Sequence, residues 1–397
     1  MKSFREDAGE LLPDLVRIRR LLHSNPEVGL VLPDTQQTVL AEIDGFGLDV
    51  HTGTDTTSVV AVLHGERPGP TVLLRGDMDA LPVSEETGLE FASTNGRMHA
   101  CGHDLHTAGL IGAARLLSAR KADIAGDVVF MFQPGEEGYG GAAVMIKEGL
   151  LDVTGSRPVA AYAIHVGPGP MGVFHTRRGP FLAGSNELRI TVHGEGGHGS
   201  RPESARDPVP AVAEIVTALQ TMVTRQFSVF DPIVVTVTQL SAGQAINVIP
   251  PHASLGATVR TLSAQSLELL KVETTRLADG IAAAHGCTAD IDLNVIYPVT
   301  VTDPEVTGAA MAQLSDMFGA DRVVEQNEPV MGSEDFSFVL NEVPGSFFML
   351  TCSPQGVDPT TLAYNHSPRV LFDDAVLGDQ AAALAHLAFT RLSGTDA

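Results

Sequence analysis

Acidic, imidazole and thiol side chains crowd five short stretches of the 397-residue chain. The five stretches are Arg75–Pro82, Met98–His106, Gln133–Gly138, Ala163–Val166 and Asn365–Pro368. Carboxylates brought together would repel one another and raise their own pKa values, and a bound cation removes that difficulty. The residue types therefore predict a metal site, provided that the fold brings the stretches together.

Cys101 and His103 form a candidate chelating pair, because Gly102 lets the backbone turn tightly enough for both side chains to face one ion. A single histidine is more often a hydrogen-bonded or solvated imidazole than a ligand, and a single buried cysteine is more often an inert thiol. Residues 99–106, however, include three histidines and an aspartate, which is a polar setting unlike an apolar core. We interpret Cys101 as a metal ligand.

Glu136 and Glu137 are adjacent carboxylates that follow a strand-like run. Adjacent residues that leave a strand point in different directions, so one carboxylate can hold a metal while the other receives a proton from water. An isolated pair of acids is more often an exposed turn. The division of labour is therefore a hypothesis that depends on the other stretches.

The elements that must position these residues alternate between helix and strand. Helical apolar spacing covers Leu11–Leu22, Thr35–Phe46 and a stretch near Asp104–Leu117, and strand-like runs cover Val59–Leu63, Thr71–Leu74, Val128–Phe132 and Val159–His165. Only the turn-like segment Gly65–Gly69 separates the first two strands, which predicts that they are neighbours. The alternation predicts an α/β fold with a mixed, mostly parallel sheet flanked by helices, and such sheets place their sites at strand ends.

The pattern changes after Gly184. Strands are predicted over Glu187–His193, Ile233–Leu240, Ala253–Thr261 and Thr288–Val295, and helices over Pro208–Phe227 and Ser263–His285. This β-α-β-β-α-β order is the signature of a ferredoxin-like α+β domain. Helix and strand alternate again over Thr307–Phe318, Ser346–Leu350 and Asp374–Arg391. We predict an inserted domain of residues 184–297 within a catalytic domain of residues 1–183 and 298–397.

Composition excludes several functions. The net charge of -23 would repel nucleic acid and anionic lipid, and no run approaches the roughly 20 apolar residues of a membrane helix. Three scattered cysteines argue against a disulfide framework, and Met1–Glu10 has no apolar signal region. We expect a soluble cytoplasmic protein without nucleic-acid or membrane partners.

Nearly end to end, the sequence resembles the metal-dependent aminoacylase and carboxypeptidase superfamily, within it the hippurate hydrolase and indoleacetyl-amino-acid hydrolase branch. The motifs that carry the resemblance are the five stretches above, Leu22–Glu27, Gly194–Ser200, Ile246–Pro250 and Met331–Phe336. The resemblance implies a two-metal amidohydrolase that acts on a small N-acyl amino acid or peptide.

The resemblance also implies roles residue by residue. The metal ligands would be Cys101, His103, Glu137, His165 and His366. Glu136 would be the general base and Asp79 the acid that orients the site. Other branches have His at the position of Asp77 and Asp at that of Cys101, so Asp77 is left out of the ligand set. The implied cofactor is two divalent ions per subunit, with zinc ahead of manganese, cobalt or nickel.

In the inserted domain, the resemblance implies that His198 reaches the partner subunit's active site and stabilises the developing oxyanion. That role requires a homodimer built through the inserted domain. Asn247 and Arg260 are candidates for holding the substrate carboxylate, although either is equally well a polar surface residue. Some relatives have Pro-His after the glycine-rich turn, whereas this chain has Pro202-Glu203.

Three functions remain open from the sequence. The first is an aminoacylase-type amidohydrolase that uses a metal-activated water. The second is a dipeptidase or carboxypeptidase on the same scaffold. The third is a metal-stabilised binding protein that has lost turnover, which an intact Glu136 argues against.

Overall fold

The computed structural model describes residues 2–393. The described residues form two compact units. Unit 1 draws on residues 2–179, Val301–Glu328 and residues 335–393, and unit 2 on Pro180–Thr300 and Pro329–Glu334. The inserted segment expected from the sequence, residues 184–297, lies a few residues inside the long segment of unit 2.

The helices and strands are as follows. The helices are α1 Phe4–Ser24, α2 Pro33–Ile43, α3 His103–Ser118, α4 Glu136–Tyr139, α5 Gly141–Lys147, α6 Pro208–Gln226, α7 Ala264–Ala284, α8 Pro304–Phe318, α9 Ser337–Leu340 and α10 Leu377–Ser393. The strands are β1 Asp49–Thr52, β2 Val59–His64, β3 Arg67–Asp77, β4 Ala125–Gln133, β5 Ala160–Gly167, β6 Phe174–Thr176, β7 Gly179–Leu182, β8 Gly184–His193, β9 Gly197–His198, β10 Val234–Ala242, β11 Val248–Ile249, β12 His252–Thr261, β13 Thr288–Tyr297, β14 Thr300–Thr302, β15 Val323–Glu325 and β16 Gly345–Thr351.

Unit 1 is built on an eight-stranded mixed sheet in the order β1-β2-β4-β3-β5-β16-β6-β15. The central strands β4, β3, β5 and β16 run parallel to one another. β1 pairs antiparallel with β2, β2 with β4, and β6 with β16, while β15 pairs parallel with β6. β5 is buried along its whole length, as expected for a strand covered on both faces. The α/β class predicted from the sequence is confirmed.

The prediction that β2 and β3 are neighbours is wrong, because β4 lies between them. β4 pairs antiparallel with β2 and parallel with β3. The linking segment passes against the start of β4: Gly65 N–H donates to the Gly126 carbonyl at 2.8 Å. Gly126 has φ +100°, and a Cβ there would lie 1.9 Å from the Pro70 carbonyl oxygen. The glycines therefore allow a close backbone crossing where the sequence pattern indicated a hairpin.

A layer of α1, α3 and α10 packs together in unit 1. α1 starts with a capping box, in which Ser3 Oγ accepts from Glu6 N–H and the Glu6 carboxylate accepts from Ser3 N–H. The apolar stripe that predicted this helix includes Leu15, Ile18 and Leu22, all buried. α1 and α10 therefore hold α3, whose first residue is the ligand candidate His103, against the sheet.

Unit 2 contains the β-α-β-β-α-β order predicted from the sequence, formed by β8, α6, β10, β12, α7 and β13. Its four-stranded sheet has the order β10-β12-β8-β13, and every pairing is antiparallel. Burial alternates along β8, so one face carries the apolar side chains that α6 and α7 cover. β10 is an edge strand of this sheet.

Among residues 2–393, none of the helices has the length and apolar character needed to cross a membrane.

Candidate metal centre

The structure brings the five polar stretches together at one edge of the unit 1 sheet. Asp77 ends β3, Gln133 ends β4, and His165 lies near the end of β5. Because these strands are parallel, their carboxyl ends meet at the same edge. Residues 99–106 run into the start of α3 at this edge, and His366 N–H donates to the Ala100 carbonyl at 2.8 Å.

The five residues predicted as metal ligands fall into two sets of three that share Cys101. The ligand atoms of Cys101, His103 and His165 lie within 4.8 Å of one another, and so do those of Cys101, Glu137 and His366. The first set is fully buried, whereas the His366 side chain is 55% exposed. The arrangement suits two cations with the thiolate between them.

Backbone carbonyls orient the two imidazoles of the buried set. His103 Nδ1 donates to the Asp79 carbonyl at 2.8 Å, and His165 Nδ1 donates to the Val166 carbonyl at 2.7 Å. Each bond directs the opposite nitrogen, Nε2, towards the cluster, and His165 Nε2 lies 3.4 Å from Cys101 Sγ. Such partners fix the tautomer that a metal requires.

The donor set fits a divalent metal. His103 Nε2 is buried, lies 3.3 Å from Asp77 Oδ2 and makes no hydrogen bond of ordinary geometry within residues 2–393, so an ion would be a better partner for it than the protein atoms around it. Burial alone would raise the pKa of the Cys101 thiol, but the His165 imidazole and hydrogen bonds to neighbouring histidines hold it well below its ordinary range. Cys101 is therefore held as a thiolate, the form that binds metals.

The pKa of His366 is raised to about 10 by its hydrogen bonds to the Cys101 sulfur and then to Glu137. His366 Nε2 lies 3.1 Å from Glu137 Oε1. In the absence of a cation, a proton on His366 thus balances the two neighbouring anions. A metal would take over that role and release the proton.

The Asp79 carboxylate holds both members of the Glu136-Glu137 pair by their backbones. Glu136 N–H donates to Asp79 Oδ1 and Glu137 N–H to Asp79 Oδ2, each at 3.0 Å. A carboxylate oxygen of Glu136 lies within 4.8 Å of ligand atoms of His103 and Glu137. Two adjacent carboxylates therefore reach the same centre from one fixed turn.

Sequence reasoning gave no role to Arg75 or His106, which surround Asp77. Val166 N–H donates to His106 Nε2 at 2.8 Å, so the neutral ring carries its proton on Nδ1 and donates to Asp77 Oδ1 at 2.5 Å. Arg75 Nη1 lies 2.8 Å from Asp77 Oδ2. This guanidinium disfavours a cation at Asp77. The sequence held signals for both residues. Arg75 and Asp77 are two positions apart on a strand and so lie on the same face, and His106 lies one helical turn after His103.

The other predicted site residues lie in unit 2. His198 is exposed on β9, which pairs with β11, and Ser200 N–H donates to His198 Nδ1 at 3.1 Å. The neutral ring therefore carries its proton on Nε2. Asn247 is exposed and its carbonyl accepts from Gly199 N–H, while Arg260 is half-buried and donates to Thr258 Oγ1 at 2.9 Å.

The sequence and the structure are similar to those of known metal-dependent hydrolases. The model of peptidase family M20/M25/M40 matches residues 73–390. The chain is 36% identical over 392 residues to thermostable carboxypeptidase 2 of Saccharolobus solfataricus, covering 97% of each chain. It is 34% identical over 385 residues to hippurate hydrolase of Campylobacter jejuni, covering 96% of this chain and 98% of the relative.

Among solved structures, a dinuclear metal-binding M20 peptidase of Bacillus subtilis is 30% identical with a TM-score of 0.83. The match covers 97% of this chain and 99% of that one.

Proposed function

The chain belongs to peptidase family M20/M25/M40 and is a metal-dependent hydrolase of amide bonds, and from that premise we propose that it removes the acyl group from N-acyl amino acids. The observation that carries the proposal is the pair of ligand sets that share Cys101, with Glu136 within 4.8 Å of the cluster. A two-ion centre with a carboxylate base beside it is equipped for hydrolysis rather than for binding alone. The hippurate hydrolase relative favours an acylated amino acid as the substrate.

The proposed ligands are Cys101, His103, Glu137, His165 and His366. Divalent ions held there would polarise the amide carbonyl and make the attacking water more acidic. The residue set of one thiolate, three imidazoles and one carboxylate favours zinc, with manganese, cobalt or nickel as alternatives.

Glu136 is the proposed proton carrier: its carboxylate takes the proton of the attacking water and returns it to the leaving amine. Asp79 is a positioning residue, because it holds the backbone of the Glu136-Glu137 turn through both carboxylate oxygens. The same residue's carbonyl orients His103. Asp79 thus fixes the position of Glu136 relative to His103.

Unit 2 is proposed to pair two subunits. The edge strand β10 is exposed along most of its length, and Leu240 on it is 62% exposed. Nearby in sequence, Phe230 and Ile246 are almost fully exposed as well. An apolar, unpaired sheet edge is a site for association, and a second copy would cover it.

His198 of the partner subunit is the proposed donor to the developing oxyanion. Its Nδ1 accepts from Ser200, which leaves Nε2–H to donate. Asn247 and Arg260 are proposed to bind the substrate carboxylate.

The proposal is tested with a panel of N-acetyl, benzoyl, long-chain acyl and indoleacetyl amino acids beside dipeptides, after metal removal and reloading with zinc, manganese, cobalt or nickel. We expect metal-dependent release of the amino acid from at least one acyl class. The Glu136→Gln variant is the matched control for background hydrolysis. Cleavage of dipeptides alone would assign the carboxypeptidase function that the archaeal relative favours. Metal binding without turnover of any substrate would reject both.

A further inference from the structure

Asn365 presents its side-chain amide to the sulfur that the two ligand sets share. Nδ2 of Asn365 lies 3.6 Å from Cys101 Sγ and 3.4 Å from each of the Cys101 and Val166 carbonyl oxygens. All three neighbours are acceptors, so the NH₂ group and not the oxygen must face them. The orientation of the amide is thereby fixed by its surroundings.

The amide adopts this orientation although its own acceptor is left unpaired. Asn365 Oδ1 is buried and has no hydrogen-bond partner in the part of the chain that the structure describes. A buried unpaired acceptor costs about 1–3 kcal/mol, so some other requirement keeps the side chain there.

The contacts of Asn365 converge on three ligand-bearing segments. The Val166 carbonyl that Asn365 approaches is the same one that orients His165. Asn365 directly precedes His366, whose positive φ of 73° is the only one outside glycine in residues 2–393. One side chain therefore connects Cys101, the end of β5 and the His366 loop.

Building on the metal centre of the proposed function, we propose that Asn365 is a positioning residue that tunes Cys101 as a metal ligand. An N–H donor withdraws electron density from a thiolate and leaves it a weaker, better oriented donor. A thiolate that held two ions would keep one lone pair, and the Asn365 amide is placed to donate to it. Loss of that donor would make the sulfur more electron-rich and free it to turn away from the cluster.

The test uses Asn365→Leu, which keeps the approximate shape without a donor or a charge, and Asn365→Ala. Exposed Asn341 in unit 1 supplies the matched controls Asn341→Leu and Asn341→Ala. Each protein is stripped of metal and titrated with Co²⁺, and the sulfur-to-cobalt charge-transfer absorption is recorded together with the dissociation constant. Thermal unfolding of the metal-free proteins checks that each variant is folded.

We expect Asn365→Ala to move the charge-transfer band to lower energy, because the sulfur loses a hydrogen bond. Both Asn365 variants should bind Co²⁺ roughly 10- to 100-fold more weakly, because the loss of orientation outweighs the gain in electron density at the sulfur. The Asn341 variants should match the wild type in both readouts.

An unchanged band position in both folded Asn365 variants would overturn the inference, even if affinity falls, because it would mark a merely structural role. Absence of the band in the wild type is a different failure: it would remove Cys101 from the ligand set of the proposed function, on which this inference rests.

Discussion

At the scale of single residues, the ligand sets differ in how firmly the protein holds them. His103 and His165 are buried, and backbone carbonyls orient both rings. His366 is 55% exposed and lies on a loop. Preorganised ligands bind more tightly because less freedom is lost on binding. The buried set should therefore hold its ion more firmly than the set that includes His366.

The first prediction follows from this difference and from the shared sulfur. Cys101→Ala should lose metal from both sets and, with it, activity, because the sulfur belongs to both. His103→Ala should likewise lower metal content and activity together. His366→Ala should retain about one ion per subunit, since the buried set is untouched. The check is elemental analysis of each purified variant after dialysis, beside its activity. Wild-type metal content and activity in Cys101→Ala and His103→Ala would remove both from the ligand set.

At the scale of elements, the helix that carries His103 is tied down by a buried ionic cluster. Asp104, in the first turn of α3, lies 2.6 Å from Arg19 Nε and 2.7 Å from His23 Nδ1. Arg19 and His23 are on α1, and all three side chains are at most 2% exposed. Burial alone would raise the pKa of Asp104, but Arg19 and then His23 hold it well below the ordinary range of an aspartate.

The second prediction is that Asp104→Asn destabilises the metal-free protein by about 1–3 kcal/mol, because Arg19 and His23 lose a shared buried partner and are left with Asp374 and Glu85. Glu42→Gln is the control: it weakens the solvent-accessible pair between Glu42 on α2 and Arg17 on α1, and it should cost about 0–1 kcal/mol. The measurement is urea unfolding of both variants and the wild type.

The cost should also depend on pH. A carboxyl with a lowered pKa stabilises the fold above its unfolded-state pKa and loses that effect as pH falls through the folded-state value. The gap between wild type and Asp104→Asn should therefore shrink below about pH 4. Equal stability of Asp104→Asn and the wild type at pH 7 would show that the cluster is not what anchors α3.

Most of the helices and strands could be predicted from the sequence, and those that could not have physical reasons. Long amphipathic helices such as α1 were predicted from their apolar periodicity, and buried strands such as β5 from a short continuous apolar run. Strand order was not, because pairing depends on distant contacts: β4 separates β2 from β3 through a glycine-lined crossing that leaves no periodic signal. The helices α4 and α5 were missed because they are too short to show a helical period, with four and seven residues. α4 also contains non-helical backbone angles at Glu137 and Gly138.

The sequence predicted the candidate ligands and the base more fully than the residues that hold them in place. The stretches that contain Cys101, Glu137 and His366 stand out because their polar side chains interrupt apolar sequence. The contacts of Arg75 and the role proposed for Asn365 were not predicted, because an arginine or asparagine has many uses and only its neighbours in space define one.

At the scale of the whole molecule, the proposed function requires two subunits. His198 is assigned to the partner's active site, and an exposed sheet edge on unit 2 is assigned to the contact between copies. Both assignments can be tested together. If each site takes residues from two chains, a dimer of two differently mutated chains can still contain one intact site.

The third prediction concerns such a mixed dimer. Glu136→Gln and His198→Ala should each be nearly inactive as homodimers, since the first lacks the base and the second the oxyanion donor. A heterodimer co-expressed with two different tags should regain about half of the wild-type activity, because one of its two sites has both groups intact. Light scattering would establish the dimer. An inactive heterodimer, or a fully active monomer, would contradict the shared site.

The most direct test of the account is the comparison of Glu136→Gln with Glu137→Gln, because the two neighbours are assigned different tasks. Glu136→Gln should keep its metal and lose at least roughly a hundredfold in kcat, the typical contribution of a general base. KM should change much less, since the lost interaction belongs to the transition state. Glu137→Gln should instead release metal. Near-normal kcat in Glu136→Gln, or loss of its metal while Glu137→Gln keeps both ions, would contradict the mechanism proposed for this centre.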